Sequence, residues 1–162
     1  MYSTTELADI LAMSLVGHTD SVIDVTSAPV NNVCLIGSCS DDGSIKIWDL
    51  RESKWLLRQT LWHNGSAIGL VGSTPQDMRL LPSSIDWNGA ALCAGYRDGS
   101  VASFDYTTGQ RLRLMKDSAS DAGTERSTNV LISDSAGQTI VAAHHDGLVS
   151  IFDTRIGKQC LI

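Results

Sequence analysis

The chain has 162 residues, 43% of them hydrophobic, and 12 Lys and Arg against 18 Asp and Glu give a formal charge of −6. This is globular material of one-domain length rather than a disordered segment, and an acidic chain with scattered basic residues argues against non-specific binding to nucleic acid, which needs clustered Lys and Arg against the phosphates. The longest apolar stretch near the amino end, residues 7–16, is interrupted by Asp9 and follows no basic segment, so it makes neither a membrane span nor a signal peptide.

In chain order, residues 1–14 read as a linker or loop remnant, and a leading strand around Ala12 to Val16 would belong to a sheet ahead of the first unit. Unit one runs from about 17 to 62. Its strands lie near Val22, Val33, Ile45 and Trp55, and its connections hold Pro29, Asn31, Asn32 and an Asp42-Gly43 turn. Unit two, 63 to 116, opens on an insertion from Asn64 to Leu81 rich in Gly and Ser. Strands then follow at Pro82 to Trp87, at Ala90 to Gly95, behind Asp98-Gly99, and over Gln110 to Lys116. Unit three, 117 to 162, follows a polar loop from Asp117 to Ser127 that cannot bury much surface. Its strands lie near Asn129 to Ser133, Thr139 to Ala143 and Leu148 to Phe152, and Lys158 to Ile162 runs partway into a last one.

The organisation rests on an internal repeat. Asp42-Gly43-Ser44-Ile45-Lys46-Ile47-Trp48-Asp49 recurs as Asp98-Gly99-Ser100-Val101-Ala102-Ser103-Phe104-Asp105 and as Asp146-Gly147-Leu148-Val149-Ser150-Ile151-Phe152-Asp153. Copies two and three share a further glycine four residues on, Gly109 and Gly157. Asp-Gly is a tight-turn dipeptide because Gly accepts a positive φ, and the β-branched and aromatic residues behind it suit a pleated strand. The segments ahead of each turn, Val33 to Cys39, Ala90 to Gly95 and Thr139 to Ala143, are apolar or small, as strands buried on both faces should be. Each unit therefore contains a hairpin. The copies begin 56 and then 48 residues apart, somewhat above the roughly 40 to 45 residues of a four-stranded propeller blade, which leaves room for one long and one shorter loop.

This pattern resembles the WD repeat, most fully in unit one, where Gly17-His18 precedes the first strand and Trp48-Asp49 ends the third. The resemblance implies an all-β fold: a partial β-propeller of WD40 type with three four-stranded antiparallel blades. The chain is too short for a closed ring of about four to eight blades. An open arc leaves apolar blade faces in water and should be marginally stable or prone to aggregate. The resemblance also implies a buried hydrogen-bonded set of His18, Ser38 or Ser40, Asp42 and Trp48. Copies two and three carry Phe104 and Phe152 in place of Trp and lose that set, so their blades should lean on packing.

Rival chemical readings yield to the repeat. Ser38, His18 and Asp42 are the residue types of a hydrolase triad, but no Gly-x-Ser-x-Gly elbow is present, and Asp98 and Asp146 occupy the same turn without a matching Ser and His. His144-His145-Asp146 is unsuited to a metal because adjacent strand residues point to opposite faces. Gly65 to Gly72 lacks a phosphate-loop ending. Cys34, Cys39, Cys93 and Cys160 show no Cys-x-x-Cys spacing and read as reduced, buried thiols, which suggests a cytoplasmic location. Arg111, Arg113 and Lys116 form the densest basic run, a solvated face on an outer strand, and Trp55, Trp62 and Trp87 read mainly as packing between blades. No cofactor, metal or catalytic residue is expected.

Within WD repeats the chain resembles the propeller of striatin-type proteins. The likeness rests on His18-Thr19-Asp20-Ser21-Val22, on Ser38-Cys39-Ser40 leading to Trp48-Asp49, and on Ala143-His144-His145-Asp146 followed by Phe152-Asp153-Thr154-Arg155-Ile156-Gly157-Lys158. It implies a non-enzymatic scaffold whose partners are proteins of a protein phosphatase 2A and kinase assembly. The insertion from Ala67 to Leu81 departs from the family pattern. A generic WD40 adaptor, in ubiquitin ligation or RNA processing, is the alternative, and a hydrolase a distant one. Asp20, Asp41, Arg97 and His145, near the loop before strand one and the turn between strands two and three, form the candidate partner surface.

Overall fold

The Asp-Gly turns and the β-branched runs behind them set the architecture. The structure is a computed structural model that describes residues 14–30, 33–51, 54–63, 80–116, 126–134 and 136–159. Among them are β1 (Val22–Val30), β2 (Val33–Ser40), β3 (Ser44–Arg51), β4 (Lys54–Trp62), β5 (Pro82–Asn88), β6 (Ala91–Tyr96), β7 (Val101–Asp105), β8 (Arg111–Met115), β9 (Thr128–Ser133), β10 (Thr139–His144), β11 (Val149–Asp153) and β12 (Lys158–Gln159), with no helix among the described residues. They form three four-stranded antiparallel sheets in meander order, β1 to β4, β5 to β8 and β9 to β12. This is the expected arc of propeller blades. Gly43, Gly99 and Gly147 hold φ of 84°, 79° and 85°, a region that glycine enters without steric penalty, and each closes the hairpin between the second and third strands. Leu35 faces Asp49, Ala91 faces Asp105 and Thr139 faces Asp153, so the three sheets are equivalent residue by residue.

The core lies between sheets rather than within one. Leu35, Ile45, Ile47 and Leu61 of the first blade pack on Ile85, Leu92 and Phe104 of the second. Cys93, Val101 and Met115 of the second pack on Leu131, Ile140 and Phe152 of the third. Each large side chain buried there contributes about 1.5–3 kcal/mol. The approach is close: a Cβ on Gly95 would lie 2.4 Å from Thr128 Cγ2 of the next blade. Inner strands are also stitched by polar bonds. Asp24 Oδ2 accepts from Ser84 Oγ (3.0 Å) and Ile85 N (2.9 Å), Ser84 Oγ accepts from Leu131 N (3.1 Å), and Asp86 Oδ2 accepts from Ser133 N (2.7 Å).

Several expectations need correction. Pro29 lies inside β1, opposite Cys34, rather than in a connection; β1 is an inner edge strand with a single neighbour, where a missing N–H costs no ladder bond. Residues 14–16 form no strand, because no described strand lies beside them to pair with; residues 12 and 13 fall outside the described residues. Cys34 is exposed, whereas Cys39 and Cys93 are buried. The third blade's middle strand β10 is not buried on both faces but alternates, since no described sheet covers its outer side. The first 13 residues, the insertion at 64–79, most of the loop at 117–125 and Cys160 lie outside the described residues.

Candidate functional site

The polar heart of the first blade is a relay. Trp48 on β3 donates its indole N–H to Ser38 Oγ on β2 at 2.9 Å. Ser38 Oγ lies 2.8 Å from His18 Nε2, and His18 Nδ1 lies 2.9 Å from Asp42 Oδ2. An indole only donates, so Ser38 accepts from it and donates its own O–H to Nε2, which leaves Nδ1–H to donate to the carboxylate. The backbone N–H of Thr19 (3.0 Å) and of Ser44 (2.8 Å) and the Ser44 hydroxyl (2.6 Å) complete the Asp42 shell. Burial works to raise the Asp42 pKa, but hydrogen bonds from Ser44, Thr19 and His18 outweigh it and bring the carboxyl down to about 2.

Of the two serines considered, Ser38 is the relay member. Ser40 instead accepts from Asp42 N (3.0 Å) and donates to the carbonyl of Asp20 (3.2 Å), tying the turn to the segment before β1. Ser44 was missed by sequence reasoning, although the repeat carried its signal: Ser100 donates to Asp98 through both N–H and hydroxyl, and Leu148 N donates to Asp146. An Asp two residues before a strand-opening donor makes this Asx turn in every copy.

The order Ser38, His18, Asp42 matches that of a nucleophilic triad. Its setting does not. Ser38 is 5% exposed and its oxygen is already engaged by the Trp48 indole, so no substrate carbonyl can reach Oγ. The set holds a blade together. In the third blade His144 turns inward to Ser150 Oγ (2.9 Å), His145 faces solvent, and Asp146 pairs with Arg126 at 2.7 Å. Asp98 pairs with Lys116 at 3.3 Å. Phe104 and Phe152, which hold in the second and third blades the repeat position of Trp48, lie in the inter-blade clusters at 1% and 0% exposure.

One edge of the arc gathers the remaining candidates. Asp41, Arg97 and His145 are the same position in successive blades, each just before the turn Asp, and each N–H donates to the residue ahead of its first strand: Asp41 to Ser21 (3.0 Å), Arg97 to Leu81 (3.1 Å), His145 to Ser127 (2.8 Å). The structure joins two of them directly, Arg97 Nη2 lying 2.5 Å from Asp41 Oδ1 across the first and second blades. Asp20 is exposed and accepts from Ser21 N at 2.7 Å. Arg111 and Arg113 are exposed on β8 and reach neighbouring blades, donating to the carbonyls of His63 (2.6 Å) and Arg155 (2.9 Å). Trp87 is buried edge-to-face with Tyr106, and Trp55 and Trp62 are half-buried. Among the described residues no three His, Cys, Asp or Glu side chains converge as a metal site would require.

The repeat and the blade geometry agree with comparisons to known proteins. A family model described as "WD domain, G-beta repeat" matches residues 10–49. The WD40 domain of Toxoplasma gondii coronin superposes with a TM-score of 0.66 at 20% identity, over 88% of this chain and 33% of that one. The chain is a WD40-repeat polypeptide folded as part of a β-propeller. Within that class it is striatin-like: striatin-3 of Mus musculus is 30% identical and striatin-3 of Homo sapiens 28% identical over 163 aligned residues, 98% of this chain. The chain spans 18% of the length of those relatives. Nuclear distribution protein PAC1 of Arthroderma otae is 33% identical over 106 residues, 65% of this chain and 22% of that protein.

Proposed function

We propose that the chain is a non-catalytic protein-interaction scaffold, part of a striatin-like propeller that serves an assembly of protein phosphatase 2A and kinases. The observation that carries this reading is the edge where Asp41, Arg97 and His145 recur at one position in three consecutive blades, beside exposed Asp20. Equivalent turns present different side chains at a regular spacing, and a partner reads those side chains while the buried relay keeps the backbone fixed beneath them. Likeness to striatin-3 along nearly the whole chain supports the phosphatase assembly over other complexes. The matches to PAC1 and, over 55 residues at 40% identity, to ribosome biogenesis protein YTM1 of Debaryomyces hansenii support a second reading as a WD40 adaptor elsewhere.

Co-precipitation from the full-length product separates the two. The first reading expects phosphatase scaffold and kinases in the pellet, and recovery of an unrelated complex without phosphatase refutes it. Asp41 and Arg97 are half-exposed and bonded to each other, so removing both at once avoids leaving one charge unpaired. The double variant Asp41→Ala, Arg97→Ala is expected to lose at most about 1 kcal/mol of stability while partner recovery falls severalfold. Unchanged recovery would place the partner surface elsewhere.

A further inference from the structure

The fourth strands of the first two blades clasp the blade that follows. In the first, Gln59 on β4 donates from Nε2 to the carbonyl of Thr108 at 3.2 Å, beside Gly109. In the second, Arg113 on β8 donates from Nη2 to the carbonyl of Arg155 at 2.9 Å, beside Gly157. Ile47 faces Gln59 and Ser103 faces Arg113, so the two residues hold one position of the repeat and do one task. A neutral amide suffices for it. Arg111 is charged where the repeat needs no charge either, since the residues opposite Trp48, Phe104 and Phe152 are Leu57, Arg111 and Gln159.

Arg111 donates to the carbonyl of His63 at 2.6 Å, and neither it nor Arg113 has a carboxylate partner among the described residues. One carbonyl leaves most of a guanidinium's five N–H donors, and its charge, unanswered. Arg58 on β4, by contrast, is engaged by Asp49 at 3.3 Å and by the Tyr106 ring at 5.2 Å. Among the described residues β8 has β7 as its one neighbour, and Arg111, Leu112, Arg113 and Leu114 are exposed. The second blade has a blade on either side, so the exposure of this edge is set within the arc and not by the ends of the chain. Charged side chains commonly blunt such an edge by lying over its free N–H and C=O groups. Here the guanidiniums are drawn aside onto carbonyls of the flanking blades, and the edge between them stays open. A groove lined by Asn88, Ser103, Leu112, Arg113 and Thr154 runs beside it.

We propose that the outer edge of the second blade binds an acidic, extended segment of a partner protein, which adds to β8 as a fifth strand and sets carboxylates against Arg111 and Arg113. In a chain of net charge −6 this edge is a basic island, so it selects an acidic partner while main-chain pairing holds it. Leu112, 56% exposed between the two arginines, adds an apolar contact. Arg111 reaches towards the first blade and Arg113 towards the third. Successive residues of a strand also point to opposite faces, so the edge reads two adjacent acidic residues rather than an alternating pattern.

The test is fluorescence anisotropy of a labelled peptide about ten residues long, a Glu-Glu pair set among Thr and Val, titrated with the full chain. A Kd on the order of 100 µM is expected at low salt, weakening severalfold in about 0.5 M salt. A Gln-Gln peptide should bind at least about tenfold more weakly, and so should one with Pro on either side of the acidic pair, which cannot donate to the ladder. Both peptides test the unaltered chain. Arg111→Leu with Arg113→Gln copies the first blade at both positions, so it should keep the wild-type circular dichroism melt and raise Kd at least about tenfold. Asp41→Ala with Arg97→Ala, at the other end of the strands, should leave Kd unchanged. No binding, equal binding of the Gln-Gln or Pro peptide, or a Kd indifferent to the loss of both arginines would overturn the proposal. So would binding seen only after Asp117, Asp121 and Glu125 are made amides, which would make the chain's own acidic segment the occupant. Phosphatidylserine vesicles or a single-stranded oligonucleotide binding the two arginines more tightly than the peptide does would overturn it as well.

Discussion

Replacing Ser38 by alanine isolates the relay from the packing around it. The hydroxyl accepts the Trp48 indole N–H at 2.9 Å and reaches His18 Nε2 at 2.8 Å, and all three side chains are buried. Ser38→Ala leaves two buried polar groups without a partner, each at about 1–3 kcal/mol, so a loss of about 2–6 kcal/mol is expected. For a chain of this size that is a fall in Tm of roughly 4–24 °C. Urea unfolding followed by far-UV circular dichroism measures it, and a second substitution sharpens it. Trp48→Phe copies the residue that stands in the other two blades and removes one of the stranded donors. In the Ser38→Ala background it should therefore cost at least about 1 kcal/mol less than in the wild type, a coupling that a double-mutant cycle reads directly. A loss under about 0.5 kcal/mol for Ser38→Ala, or additive effects of the two changes, would show that the relay does not hold the blade.

Glycine positions give a paired test. Gly99 has φ of +79° and a Cβ there would lie 2.5 Å from the Arg126 carbonyl oxygen, whereas Gly147 has φ of +85° and nothing within 4 Å. Gly147→Ala should cost only the left-handed strain, about 1–2 kcal/mol, and Gly99→Ala distinctly more; equal losses in thermal melts would contradict the close approach. The Asp42 carboxyl is depressed in the folded chain to about 2, so its contribution is fully present above the unfolded value of 3.8 and is lost as pH falls through the folded one. Wild-type stability should therefore drop between about pH 4 and pH 2 more steeply than that of Asp42→Asn, and parallel acid titrations of the two would refute this. Burial pushes the Cys39 and Cys93 thiols up to about 12, so a disulfide reagent near pH 8 should label exposed Cys34 first in a Cys160→Ser background, and prior labelling of Cys39 or Cys93 would mean that the inter-blade core opens.

Much of the fold was legible because its unit is local. Asp-Gly with a β-branched residue two positions on specifies turn and strand within eight residues, and three copies in register specify equivalent sheets. The His18 relay was legible through the resemblance to WD repeats, which left Ser38 and Ser40 as alternatives until the structure placed Ser38 in it. What could not be read was what crosses between units. Pro29 looks like a loop residue until β1 is known to have a neighbour on one side only. Cys34 looks like a core residue until its side chain is known to face away from the second blade. Asp24 and Asp86 carry no motif, yet each holds the backbone of the following blade.

The sequence by itself determined that this chain is a run of turn-led hairpins, because the preference of glycine for positive φ and of β-branched residues for strands acts over a few residues. Tertiary structure alone decided that Asp41 of one blade holds Arg97 of the next, that Gly17 lies against Trp48, and that Val130, Ile132 and Val149 of the third blade are exposed. Those outcomes depend on how sheets some 50 residues apart are set side by side, and burial belongs to a position in space, which no stretch of sequence specifies until its neighbour is in place.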